Sequence, residues 1–192
     1  MLAPPTPAKS FLLTAADLAV LPSELSQGPV RYELEDGTLI IMPVPGDPHG
    51  AIQLRLGAAL YTQGEERGHG KAWSEVGVIL KRNPDGVVGP DACFVVTSRL
   101  PVVTSPEGFL ETIPDIVAEI RSKNDSVAEL LRKKDRYLAA GVRVVWLVDP
   151  LLRTVTVCGA GQPPAELREP ADLLAEPFIP GFCLPLAKLF AP

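Results

Sequence analysis

The sequence predicts an α/β protein organised as a single domain over residues 1–192, and three observations carry that expectation. A chain of 192 residues suits one hydrophobic core, which at this size buries roughly 70% of the unfolded surface. Short apolar β-type runs alternate with stretches of helical spacing along most of its length. Apolar residues make up 46% and charged residues 21%, which excludes intrinsic disorder and collagen-like repeats.

The elements follow in order. Residues 1–10, with three prolines, read as a loose arm, and Thr14 can cap a short helix through Leu21. Val30 to Leu34 and Thr38 to Pro43 flank Glu35-Asp36-Gly37, whose Asp-Gly pair supplies the dihedrals of a hairpin. From His49 to about Arg67, Ile52, Leu56, Ala59 and Leu60 fall at i, i+4, i+7 and i+8, one buried helical stripe. Ala72 to Leu80 and Ala92 to Thr97 read as strands of a meander, separated by the turn Asn83-Pro84-Asp85-Gly86.

Pro101 to Glu111 has the composition of a surface loop, and Ile116 to Ile120 is an apolar strand containing one acid, Glu119. Asn124 or Asp125 can cap a helix to Ala140, with Val127, Leu130, Leu131 and Leu138 as apolar contacts and Gly141 as left-handed terminator. Val142 to Val148 is a further core strand. Asp149-Pro150 breaks it, Thr154 to Cys158 resumes β character as a sheet edge, and a terminal hairpin with a short closing helix ends the chain at Leu184 to Phe190.

The formal charge of -5 argues against coating nucleic acid by net attraction, although a local basic face can still steer DNA. Cys93, Cys158 and Cys183 form neither a metal pair nor an even disulfide set and read as small buried hydrophobes in a reducing compartment. Asp17 interrupts the only early apolar run, and no stretch approaches the ~20 apolar residues of a membrane span, so a cytoplasmic protein without membrane attachment is expected.

Two acids stand in apolar frames, where an unpaired carboxylate is costly: Asp91 in Gly-Pro-Asp-Ala-Cys-Phe-Val-Val and Glu119 in Ile-Val-Ala-Glu-Ile. If their strands pair, both carboxylates can converge on a hard divalent cation, magnesium or manganese, able to activate water against a phosphodiester. The bland alternative makes Asp91 a loop-to-strand cap and Glu119 the partner of a lysine. Lys133 and Tyr137, at i and i+4, can point together from one helix face toward the sheet. Lys134 competes with Lys133, while Lys134 and Arg136 read better as a solvated face. From Arg121 to Arg136 there are six basic residues against three acids, which suits a phosphate-facing surface. His49 reads equally as an orienter of water or phosphate and as a capping or surface residue. Trp73 and Trp146 are assigned to the core.

These pieces together resemble the Uma-type restriction endonucleases of the PD-(D/E)XK superfamily. The matching pieces are Arg31-Tyr32-Glu33-Leu34 with Asp36-Gly37, His49 opening a helix, Pro90-Asp91 before a β run, Glu119-Ile120-Arg121-Ser122, Lys133 four residues before Tyr137, and Gly141-Val142 leading to Val145-Trp146-Leu147-Val148-Asp149-Pro150. The likeness runs from about Tyr32 to Val157. It implies a restriction-endonuclease-like mixed central β-sheet flanked by helices, with Asp91 and Glu119 as metal ligands, the Ile120 carbonyl as a third and Glu33 as an additional acid.

The chain departs from the superfamily signature where a lysine belongs two residues after the second acid. Arg121 stands there; it can stabilise phosphate but not serve readily as a base, and the lysine's role passes in this pattern to Lys133. The expected activity is magnesium- or manganese-dependent hydrolysis of DNA by a homodimer. The rival reading is a catalytically inactive nuclease-fold domain for DNA binding or assembly, and a hydrolase of smaller phosphate esters is a third.

Overall fold

The computed structural model describes residues 11–123 and 125–191, so the predicted arm over 1–10 and the candidate cap Asn124 lie outside it. Thr14 caps α1 (Ala15–Ala19) through a reciprocal pair with Asp17. β1 (Glu24–Leu25), β2 (Gly28–Glu35) and β3 (Thr38–Pro43) follow, with β2 and β3 forming the predicted hairpin around Asp36-Gly37, both at positive φ. α2 (His49–Leu60) continues into a π-helical turn at Tyr61–Glu65.

The predicted meander resolves differently. The first run divides into β4 (Gly70–Trp73) and β5 (Val78–Lys81), and β6 (Gly86–Val88) precedes β7 (Ala92–Val96). β4 pairs with β7, whereas β5 and β6 join β1, β2 and β3 in a separate five-stranded sheet. Gly77 lies in the break of the first run and Gly89-Pro90 separates β6 from β7, so the strands on either side of each break enter different sheets.

β8 (Ile116–Ile120), α3 (Val127–Ala140), β9 (Val144–Asp149), β10 (Thr154–Gly159) and β11 (Ala165–Arg168) build most of the main sheet, ordered β11-β10-β9-β8-β7-β4. It is mixed: β8 and β9, joined through α3, run parallel and the other pairs antiparallel. β10 is not the predicted edge, because β11 covers it. The hairpin β12 (Asp172–Leu174) with β13 (Cys183–Pro185) and the short α4 (Leu186–Leu189) close the chain as expected.

Side chains alternate across the main sheet with period two. Ala92, Phe94, Ile116, Ala118, Ile120, Trp146 and Val148 face α2 and the C-terminal segment, where Trp146 meets Phe182 at 5.8 Å between ring centroids. Cys93, Val117, Val145 and Leu147 face the opposite way, onto Tyr137 of α3 and onto Val78 and Val88. Both faces being covered explains why β8, apart from Glu119, and β9 up to Asp149 read as continuous apolar runs.

Ser126, rather than Asp125, caps α3 in a reciprocal box with Glu129, and Gly141 ends the helix at φ 103° as predicted. Val127 and Leu131 are exposed instead of packed, because only one stripe of α3 touches the sheet. Trp73 is partly buried on the face of the sheet that carries Cys93 and Val117, beneath the Lys71 ammonium. Cys93 and Cys158 are buried, and burial pushes the Cys93 thiol up to about 12. Cys183 is exposed, because it occupies an outward position of the short hairpin.

Candidate active site

β7 and β8 pair antiparallel with Ala92 opposite Ala118, so the register carries Asp91 and Glu119 to the same end of adjacent strands. Both side chains are buried, and both line a cavity of about 710 Å³ between the β2–β3 hairpin, the start of α2 and α3. Glu33, Ile120, Arg121 and Lys133 line it too. All the site residues expected from the sequence therefore meet in one cleft.

Lys133 lies one turn before Tyr137 on α3, and both reach Glu119. The Lys133 ammonium is 3.0 Å from Glu119 Oε2 and 2.9 Å from Glu33 Oε1, while the Tyr137 hydroxyl donates to Glu119 Oε1 at 2.5 Å. Glu33 also accepts from the Gly89 N–H at 3.0 Å. Burial drives the Glu119 carboxyl up to about 7; Asp91 and Glu33 push it the same way, and Lys133 and Tyr137 oppose them. Burial alone would lower Lys133, but Glu119 and Glu33 outweigh it and hold the ammonium well above the usual lysine range. Lys133 is thus a fixed positive charge.

The Asp91 carboxylate is held on both oxygens. Oδ2 accepts from the Ile120 N–H at 2.7 Å, and Oδ1 lies 3.0 Å from His49 Nε2. His49 is buried, makes no helix cap, and has Ser122 Oγ 3.2 Å from its Nδ1, which removes the surface and capping readings. Gln53, one turn along α2, donates to the Asp91 carbonyl at 3.1 Å.

Arg121 lines the cleft, but its guanidinium pairs with Asp149 at 2.8 Å and donates to the Asp125 carbonyl at 3.3 Å. Asp149 in turn accepts from the N–H groups of Leu151 and Leu152, so this pair fastens β8 to the turn after β9. Lys134 pairs with its neighbour Asp135 at 2.6 Å. The solvated-face reading fails for Arg136, which donates to the Leu34 carbonyl at 2.8 Å and ties α3 to β2, and Lys134 is itself largely covered. Exposed positive charge on the cleft rim comes from Lys123 and Arg132.

Sequence reasoning gave no role to Ser122, Gln53 or the Gly89 N–H. Gln53 carried a usable signal: it is a polar residue four positions after His49, on the buried side of an otherwise apolar helix.

The mixed sheet with its flanking helices defines a restriction-endonuclease-like α/β fold. The crystal structure of a putative nuclease belonging to DUF820 from Anabaena variabilis matches it with a TM-score of 0.75 at 24% identity, over 93% of this chain and 97% of that one. The chain belongs to the Uma2 family, described as putative restriction endonuclease, whose model matches residues 16–187. That span exceeds the Tyr32 to Val157 resemblance, and membership supports a nuclease-type function. No curated protein matches the chain. Among the described residues, no helix is long and apolar enough to cross a membrane.

Proposed function

We propose that the chain is a single-domain, cytoplasmic, magnesium- or manganese-dependent endonuclease that hydrolyses DNA phosphodiester bonds. The observation that carries this reading is that Glu33 and Glu119 both pair with Lys133 while Asp91 lines the same cleft. Buried carboxylates beside a phosphate are repulsive unless cations stand between them. The cleft wall carries eight acids against six basic residues, so a polyanion needs such cations here.

The donor set fits a hard cation. Among the described residues no group of three or more His, Cys, Asp and Glu side chains can hold an ion unaided. Asp91 and Glu119 would hold it with the Ile120 carbonyl and water, a mixture that suits magnesium, which keeps several waters. Ile120 turns its N–H to Asp91, and in extended backbone the carbonyl of the same residue points to the same side. The bound ion would supply Lewis-acidic charge to the phosphate oxygens and to the attacking water.

The remaining roles belong to side chains. Lys133 orients water and stabilises the negative charge on the oxygens of the pentavalent phosphate; held protonated, it acts as an electrostatic group rather than a base. Tyr137 and Lys133 fix the Glu119 carboxylate. Glu33 holds the lysine from the other side as an additional acid. Arg121 braces the end of β8 and presents its outer edge to a phosphate. An inactive DNA-binding or assembly domain is less well supported, because Lys133 sits among the acids where Arg121 does not.

Cleavage of plasmid, linear and single-stranded DNA with magnesium, wild type beside Asp91→Ala, tests the activity. Metal-dependent products from wild type alone support it, and identical patterns from both proteins sink it. Cutting both strands of a duplex with one site per chain favours a homodimer. Light scattering should then give twice the 20.5 kDa chain mass, and a monomer mass at all concentrations would remove that part.

A further inference from the structure

We infer that His49 and Ser122 are positioning residues, which lock the plane of the Asp91 carboxylate so that its free lone pairs face a divalent ion. This rests on the reading of Asp91 as a metal ligand. Asp91 lies in the irregular Gly89-Pro90-Asp91 segment just before β7, where no ladder bond orients it. Its direction is set instead by a closed ring of hydrogen bonds.

An ionised carboxylate only accepts, so the His49 nitrogen 3.0 Å from Oδ1, Nε2, carries a hydrogen. In the neutral ring Nδ1 is then the acceptor, and the Ser122 hydroxyl donates to it. Ser122 is fixed in turn by its own N–H, which donates to Asp125 Oδ2 at 2.8 Å. The ring returns to its start, because Ile120, two residues before Ser122, donates its N–H to Asp91 Oδ2. Flipping the imidazole or rotating the carboxylate breaks two bonds at once inside a buried network. Each carboxylate oxygen has two lone pairs and spends one on the protein, leaving one for an ion. Outer partners of this kind change metal affinity by about 10–100-fold.

The test uses the full chain. In metal-free protein, nitrogen-15 NMR should report His49 as the Nε2–H tautomer, and Ser122→Ala should mix the tautomers while Ser122→Thr restores one. In manganese calorimetry His49→Ala should weaken binding about tenfold or more. His49→Gln, whose amide nitrogen can stand where Nε2 stood, should recover most of the loss. Circular dichroism checks that each variant folds. Wild type that binds manganese alongside equally tight His49→Ala overturns the inference alone, as does a wild-type Nδ1–H tautomer. Wild type that binds no manganese overturns the metal reading and this inference with it.

Discussion

Lys133 lies 3.0 Å from Glu119, fourteen positions away in the chain, while Arg121, only two positions from Glu119, turns to Asp149. The ammonium thus reaches Glu119 from the helix, while the guanidinium that follows Glu119 on the strand does not.

Lys133→Ala should lower cleavage by ~10²–10³-fold, the scale of one lost electrostatic donor at a reacting phosphate. It also leaves Glu33 and Glu119 without their counter-charge, so its melting temperature should fall in chelator and recover in part with manganese. Lys134→Ala should stay near wild type, since Lys134 pairs with Asp135. Equal, mild losses in both variants would show that α3 presents only a basic face.

A pH dependence follows from Glu119. The unfolded carboxyl releases its proton near 4.5, but burial keeps it in the folded state up to about 7. Between those values the folded chain binds more protons, so ionising Glu119 costs stability as pH rises. Glu119→Gln, which cannot ionise, should gain stability over wild type in chelator as the pH rises from 4.5 to 8. Urea denaturation at both pH values measures it, and a pH-independent difference would refute the assignment.

Arg121→Ala should cost about 1 kcal/mol of stability through loss of its pair with Asp149, and should reduce cleavage far less than Lys133→Ala. Arg121→Lys should not rescue Lys133→Ala. Rescue would place position 121 at the chemistry, and the urea midpoint together with the cleavage rate decides between the two.

Much of this was legible in the chain because local rules carry it. Asp36-Gly37 marks the hairpin, Gly141 ends α3, and the acids Asp91, just before β7, and Glu119, within β8, mark the candidate site by their apolar frames. The division of the meander was not legible, since alternation defines a strand but not the sheet it joins. The contacts of His49 with Asp91 and of Glu33 with Lys133 are likewise tertiary; neither periodicity nor spacing encodes them. Arg136 misled because a charge run on a helix is solvated by default, and only the fold brings the Leu34 carbonyl within its reach.

Conversion of supercoiled plasmid, followed in chelator and after magnesium is restored, tests the central claim most directly. The account predicts no conversion in chelator, nicked and linear products with magnesium for wild type, and none for Glu119→Gln despite its intact fold. Magnesium-independent conversion, or equal rates for wild type and Glu119→Gln, would contradict it.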